Sequence, residues 1–162
     1  MAKADMYLRL EGKRSGWVKG ESNVAGHVEE IEVSEWSWGM IGSSAMGGAG
    51  TTVRSALSEI KFCKGTDKAT TALMSVMRTN EEVKKAVLTV RKAGLTPVDY
   101  LVITIENGRI TSHTIGNRGP DDPVLVESLN LSFEKIEVKY APQGAEGGKG
   151  AQSVFSTQVT NN

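Results

Sequence analysis

Sulfur chemistry is almost missing from this chain: its 162 residues include one cysteine, Cys63. A single thiol closes no internal disulfide and builds no thiolate metal cage. Histidine is nearly as scarce, with only His27 and His113. The run His27-Val28-Glu29-Glu30 has no metal-ligand spacing, and the two imidazoles with Cys63 are too few for a structural zinc site. Both histidines are expected to be solvated or capped. Cys63, which follows Phe62 in a strand pattern, is expected to be a buried small hydrophobe. Net charge is also absent, with 19 Lys and Arg against 19 Asp and Glu. That balance argues against a polyanionic partner, because phosphate binding shows as clustered, uncompensated Lys and Arg. The longest apolar run, Tyr100 to Ile105, falls far short of the ~20 residues that span a bilayer. Asp5 and Arg9 stand where a secretory signal needs an apolar run of about 7–15 residues, so no such signal is expected.

Glycine is the residue in excess, 18 of 162 or about 11%, against a usual ~7%. With 23% charged and 39% hydrophobic residues, the chain reads as a soluble globular protein. Its length fits one domain over 1–162, able to bury about 68–70% of its unfolded surface.

Period-2 alternation dominates the pattern. Met6, Leu8 and Leu10 share one face, Ile31 and Val33 another, and Leu129, Leu131 and Phe133 a third. Val98 to Ile105 is denser and predicts a central strand covered on both faces. Further strands are predicted at Val53 to Phe62, Ala86 to Lys92, Gly108 to Thr114 and Val154 to Thr160. Asn107-Gly108 carries the signal of a two-residue type I′ hairpin. Three strands change phase partway: Ile31/Val33 to Trp36/Trp38/Met40, Val53/Leu57 to Ile60/Phe62, and Leu129/Leu131/Phe133 to Ile136/Val138/Tyr140. Bulges that absorb such slips bend a sheet until it closes. The fold class predicted is therefore mainly β, a compact β-barrel of two bent antiparallel sheets. A strand crossing between sheets is the second explanation. One flanking α-helix is predicted from Ala69, Ala72, Leu73, Val76 and Met77, with Asp67 as its N-cap.

Two segments read as loops. Gly39 to Gly50 holds five glycines in twelve residues, and Gly144 to Gly150 holds four in seven. The first is long enough inside a small domain to suggest a function. Catalytic motifs are not found. Gly42-Ser43-Ser44-Ala45-Met46-Gly47 does not fit a nucleophile elbow. Gly148-Lys149-Gly150 mimics the end of a P-loop, but Gln143 stands where its first glycine belongs. Asp121 and Asp122 lie in a turn with too few oxygens for a calcium loop. Lys13, Arg14 and Lys19 around Trp17 read as a solvated hairpin tip. No catalytic residue, cofactor or metal is expected.

Short matches run nearly end to end in a fixed order. They begin with Asp5-Met6-Tyr7-Leu8-Arg9-Leu10, then Lys19-Gly20-Glu21-Ser22, His27 and Glu29-Glu30-Ile31-Glu32-Val33. Trp36-Ser37-Trp38-Gly39, Asp67-Lys68 and Leu88-Thr89-Val90-Arg91-Lys92-Ala93-Gly94 follow. Asp99 through Ile105, Glu127, Leu129 through Phe133, Lys135-Ile136 and Tyr140-Ala141-Pro142-Gln143 complete the set. By these residues the chain resembles the haemolysin-coregulated protein (Hcp) family, which supplies the inner tube of the bacterial type VI secretion system. It departs at Thr71, where the family often has proline, around Lys13 to Trp17, and at Phe155, where the family often has tryptophan.

The resemblance implies a homo-hexameric ring that stacks into a hollow tube. It implies a spike protein and a contractile sheath as partners, with small effector proteins held in the lumen and neither nucleic acid nor membrane insertion. The route implied runs from the bacterial cytoplasm to export by type VI secretion, without a signal peptide. Gly42, Ser43, Ser44, Met46, Gly47, Gly48 and Gly50 are expected to make ring or stacking contacts. Ser37 is expected to line the lumen, because alternation sets it opposite Trp36 and Trp38. A tail-tube subunit of another phage-like contractile machine and a monomeric small-ligand-binding barrel are the alternative readings.

Overall fold

The computed structural model describes residues 5–42, 55–92, 98–142 and 151–159. Its largest sheet is antiparallel and runs in the order β13 (Ser153–Gln158), β12 (Lys135–Tyr140), β9 (Val98–Gly108), β8 (Val83–Lys92), β1 (Met6–Gly12) and β2 (Gly16–Val18). β3 (Ile31–Glu32) joins this sheet by pairing with β1. A four-stranded sheet runs β10 (Ile110–Gly119), β11 (Asp122–Leu131), β7 (Ile60–Gly65) and β4 (Glu35–Ser37). A separate two-stranded ribbon pairs β5 (Met40–Gly42) with β6 (Ser55–Leu57).

The expected mainly-β class with one helix and antiparallel sheets holds. The three phase changes have a different cause from in-strand bulging. Each falls where the chain leaves one ladder for another: β3 to β4, β6 to β7, and β11 to β12. Consecutive residues make the first switch visible. The Val33 N–H donates to the Met6 carbonyl in the large sheet, and the next N–H, from Ser34, donates to the Cys63 carbonyl in the four-stranded one. A residue skipped at such a corner lets each strand present its apolar phase to the same interior. Asn107-Gly108 is also a corner rather than a hairpin, since β9 and β10 belong to different sheets. Asn107 takes φ +55°, whereas Gly108 serves space: a Cβ there would collide with the Ser132 carbonyl.

Leu8, Leu10, Ile31, Phe62, Leu88, Ile103, Ile105, Leu129, Leu131 and Ile136 fill the interior between the sheets. β9 is central in its ladder but is not covered on both faces: between Tyr100 and Ile105 the inward residues Ile103 and Ile105 are buried, whereas Val102 and Thr104 are half-buried. The helix α1 (Thr70–Arg78) buries Leu73 and Val76 and packs against β10. Ala69, not Asp67, occupies its N-cap position. Asp67 acts from two residues upstream, its Oδ1 accepting the Ala69 N–H at 2.9 Å.

What anchors this helix is ionic. Lys64 and Glu127 are register partners on β7 and β11 and their side chains are fully buried. Lys64 Nζ donates to Glu127 Oε1 at 2.7 Å, Asp67 Oδ1 at 2.9 Å and Thr70 Oγ1 at 3.3 Å. An ammonium has three donors, so the cation is saturated. Thr70 Oγ1 in turn donates to Glu127 Oε2 at 2.7 Å and accepts the Asp67 N–H at 3.0 Å. Removing one partner leaves the other as an uncompensated buried charge. Lys64→Ala is therefore expected to lose about 3–5 kcal/mol in urea unfolding, whereas Lys64→Met with Glu127→Leu should recover most of it.

A second carboxylate holds the β1–β2 hairpin tip. Glu81 accepts the N–H groups of Arg14 at 3.1 Å and Ser15 at 2.7 Å, and the Ser15 hydroxyl at 2.7 Å. Burial pushes its carboxyl up, but the bonds from Ser15 and Arg14 and the Arg14 charge outweigh it, leaving the group below its ordinary 4.5. A carboxyl lowered by folding contributes stability above its unfolded value, and loses it as pH falls through the folded one. The Arg14 and Ser15 amides should thus lose hydrogen-exchange protection only on the acid side of 4.5. Glu81→Gln should remove that acid-side change.

Candidate functional site

Cross-strand register assigns the two faces of the four-stranded sheet. Trp36, Phe62, Leu129 and His113 form one row, and Lys64, Glu127 and Ile115 the next in phase with it; both face the interior. The alternate rows face outward. Ser37, Lys61, Asn130 and Ser112 make one; Glu35, Cys63, Ser128 and Thr114 make another; Gly65, Val126 and Gly116 make a third.

Ser37 is exposed on this outer face, and Trp36 and Trp38 pack against the core on the other side. The expected alternation around Ser37 is present. Trp38 is fixed by its indole N–H, which donates to the Ser58 carbonyl at 2.9 Å, and by an edge contact with Phe133 at 6.3 Å. Two rigid indoles therefore set the direction of a small hydroxyl. Beside it lies a shallow groove of about 690 Å³ lined by Glu35, Lys61, Cys63, Thr114, Val126 and Ser128, among others. Cys63 is thus half-buried on a groove wall and not a core residue, a correction to its predicted place.

The groove presents a thiol, hydroxyls, the Asn117 amide, two cations (Lys61 and Arg118) and the Glu35 carboxylate, set beside the apolar Val124 and Val126. Such a surface can form scattered hydrogen bonds with a polypeptide, and it builds no nucleophile–base pair of the triad kind. Among the described residues, no group of three or more His, Cys, Asp or Glu could hold a metal ion. Likewise no helix is long and apolar enough to cross a membrane.

Beyond Ser37 the chain turns into the β5–β6 ribbon, pinned at its base by the Ser58 N–H donating to the Gly39 carbonyl at 2.9 Å. Ile41 on this ribbon is 75% exposed and Met40 is exposed beside it. Gly42 ends β5 opposite Ser55. Ser43, Ser44, Met46, Gly47, Gly48 and Gly50 lie outside the described residues, as does the glycine-rich segment 144–150.

Sequence reasoning missed the histidines and the buried ion pair. Both imidazole side chains are buried: His27 sits between two carboxylates, and His113 Nε2 has no hydrogen-bond partner. A signal for the ion pair was present. Lys64 continues the phase of Ile60 and Phe62, and Glu127 that of Leu129 and Leu131, so opposite charges stand in two apolar stripes.

Comparison with known proteins agrees with this geometry. The family profile described as type VI secretion system effector, Hcp, matches residues 7–140. "Protein hcp1" of Pseudomonas aeruginosa is 39% identical over 148 residues, covering 90% of this chain and 88% of the relative. A solved structure described as a type six secretion system protein superposes with a TM-score of 0.84 at 18% identity, covering 96% of each chain. Hcp1 from Salmonella typhimurium gives a TM-score of 0.74 at 21% identity, covering 95% of each. These two likenesses establish the fold, while the profile match and the 39% identity establish descent. This chain belongs to the Hcp family of type VI secretion system proteins.

Proposed function

We propose that the chain is a structural subunit of the type VI secretion tube, closing head to tail into hexameric rings whose stacking makes a hollow conduit. The observation that carries this is a matched pair of bare overhangs. In the large sheet Tyr140 and Phe155 face inward, in phase with fully buried Ile136, yet they are 45% and 43% exposed. In the four-stranded sheet Ile115 and Leu125 face inward, in phase with buried Leu129, yet they are 44% and 51% exposed. Each sheet thus runs past the core that the other one covers.

A second copy set head to tail lays one overhang on the other and carries the two-layer packing across the joint. Each of these side chains is about half covered already, so burying the rest contributes roughly half of the ~1.5–3 kcal/mol of a full burial, before the cost of association is subtracted. The two surfaces differ, so the contact is heterologous, and such a contact closes into a ring when its rotation permits. The family resemblance supports six subunits in the ring. The outer face with Ser37 and its groove then lines the lumen, where effector proteins are held. The β5–β6 ribbon, with Met40 and Ile41 bare, reaches to the next ring, and Gly42, Ser43, Ser44, Met46, Gly47, Gly48 and Gly50 are proposed as ring or stacking contacts. The spike protein and the contractile sheath are its partners during export from the bacterial cytoplasm.

Native mass spectrometry of the full chain tests the joint. Wild type is expected as a closed ring, and Phe155→Asp or Ile115→Asp as a folded monomer. Both variants should melt below wild type, because losing the ring removes its stabilisation of the folded subunit, while their circular dichroism stays that of a folded β domain. Monomer alone in wild type, across salt conditions, overturns the reading. Ser37→Arg is expected to keep the ring and its melting while reducing co-purification of a lumenal effector. A broken ring in that variant would assign Ser37 to an interface.

A further inference from the structure

The segment between β2 and β3 belongs to no strand, but it is held closely. The Gly20 N–H donates to the Glu29 carbonyl at 2.8 Å, the Ser22 N–H to the Glu30 carbonyl at 3.1 Å, and the Glu29 N–H back to the Ser22 carbonyl at 2.8 Å. Within this segment His27 is buried, its ring stacked on Tyr7 of β1 at 4.6 Å with 7° between the planes. Its two nitrogens face two carboxylates. Nδ1 lies 2.9 Å from Glu30 Oε1, and Nε2 lies 3.4 and 3.3 Å from the two oxygens of Asp99 on β9. Asp99 also accepts the Arg91 Nε–H from β8 at 3.0 Å.

Proton counting gives this geometry a consequence. An ionised carboxylate only accepts, and a neutral imidazole has one N–H. Neutral His27 therefore satisfies one carboxylate and turns a lone pair toward the other. The doubly protonated ring donates to both. We infer that the Gly20–Glu30 segment is a proton-operated clasp, closed by doubly protonated His27 between Glu30 and Asp99 and loosened when the ring holds one proton.

A second observation points the same way. Glu29 takes φ +64°, a left-handed conformation that a non-glycine residue keeps only where its surroundings over-determine it. The residue that follows it, Glu30, is buried and carries the carboxylate that meets His27 Nδ1. The groups around the ring are Tyr7 and Asp5 at β1, Glu30 and Glu32 at β3, Arg91 on β8 and Asp99 on β9. Burial first, then the negative charge of Asp5, pushes the Tyr7 hydroxyl above its ordinary 10.0, which keeps the stacked ring neutral. Loss of the second N–H leaves a lone pair facing a carboxylate, so closure weakens as pH rises. Opening frees the segment from the ends of β8 and β9 and leaves the two-sheet interior packed.

Amide hydrogen exchange on the full chain between about pH 5 and about pH 8, corrected for the intrinsic rate, tests the clasp. Protection of Ser22, Glu29 and Glu30 is expected to fall about tenfold toward the higher pH, while core amides such as Leu88 and Ile103 hold theirs. His27→Gln should lose the pH dependence. Asp99→Asn should keep the clasp shut at the higher pH, because its amide N–H can donate to the Nε2 lone pair while its oxygen still accepts from Arg91. Constant protection in wild type overturns the proposal, and so does an unchanged slope in His27→Gln. If His27→Gln does not fold, Asp99→Asn decides: a slope like that of wild type overturns it.

Discussion

A lysine and a glutamate, sealed from water and 2.7 Å apart, hold the four-stranded sheet to its helix. Neither charge could stay buried alone, because its desolvation cost would go unanswered. Together with Asp67 and Thr70 they close a network in which every ammonium donor has an acceptor. The network sits at the start of α1, so the helix is positioned by the strands beneath it more than by a cap of its own. A helix of nine residues is too short to persist by propensity, and this anchoring replaces what length would supply.

The path of the chain between ladders explains the rest of the architecture. At Val33 and Ser34 two adjacent backbone N–H groups serve different sheets. At Gly108 the β9–β10 corner passes so close to Ser132 that only a residue without Cβ fits. These corners let long apolar strands enter one interior from both sides. They also leave each sheet longer than the surface it covers, which is why Tyr140, Phe155, Ile115 and Leu125 face inward and remain exposed. Membership of the Hcp family and the proposed ring thus meet in one geometric fact.

Much of this was legible beforehand. Alternation located most of the strands, the apolar spacing from Ala69 to Met77 located the helix, and Trp36-Ser37-Trp38 assigned Ser37 to the face away from the indoles. All of these rest on local periodicity, which the chain carries residue by residue. The ordered run of short matches carried the family. The corners were harder, because a phase slip looks the same whether a bulge absorbs it or the chain changes sheet.

Other features depended on distance in sequence. Glu127 lies 63 residues from Lys64, and Asp99 lies 72 from His27. No spacing rule joins residues so far apart. Burial on the wrong side of an alternation was the only local hint, and for His27 there was none. Cys63 was placed in the core because cysteine usually goes there, but strand pairing with Glu35 and Ser128 turned it toward the groove. Period and composition, which are local, set which residues form strands and which form the helix. Register and sheet choice decided which faces meet, because those are settled only when hydrogen bonds close between segments that the chain itself keeps apart.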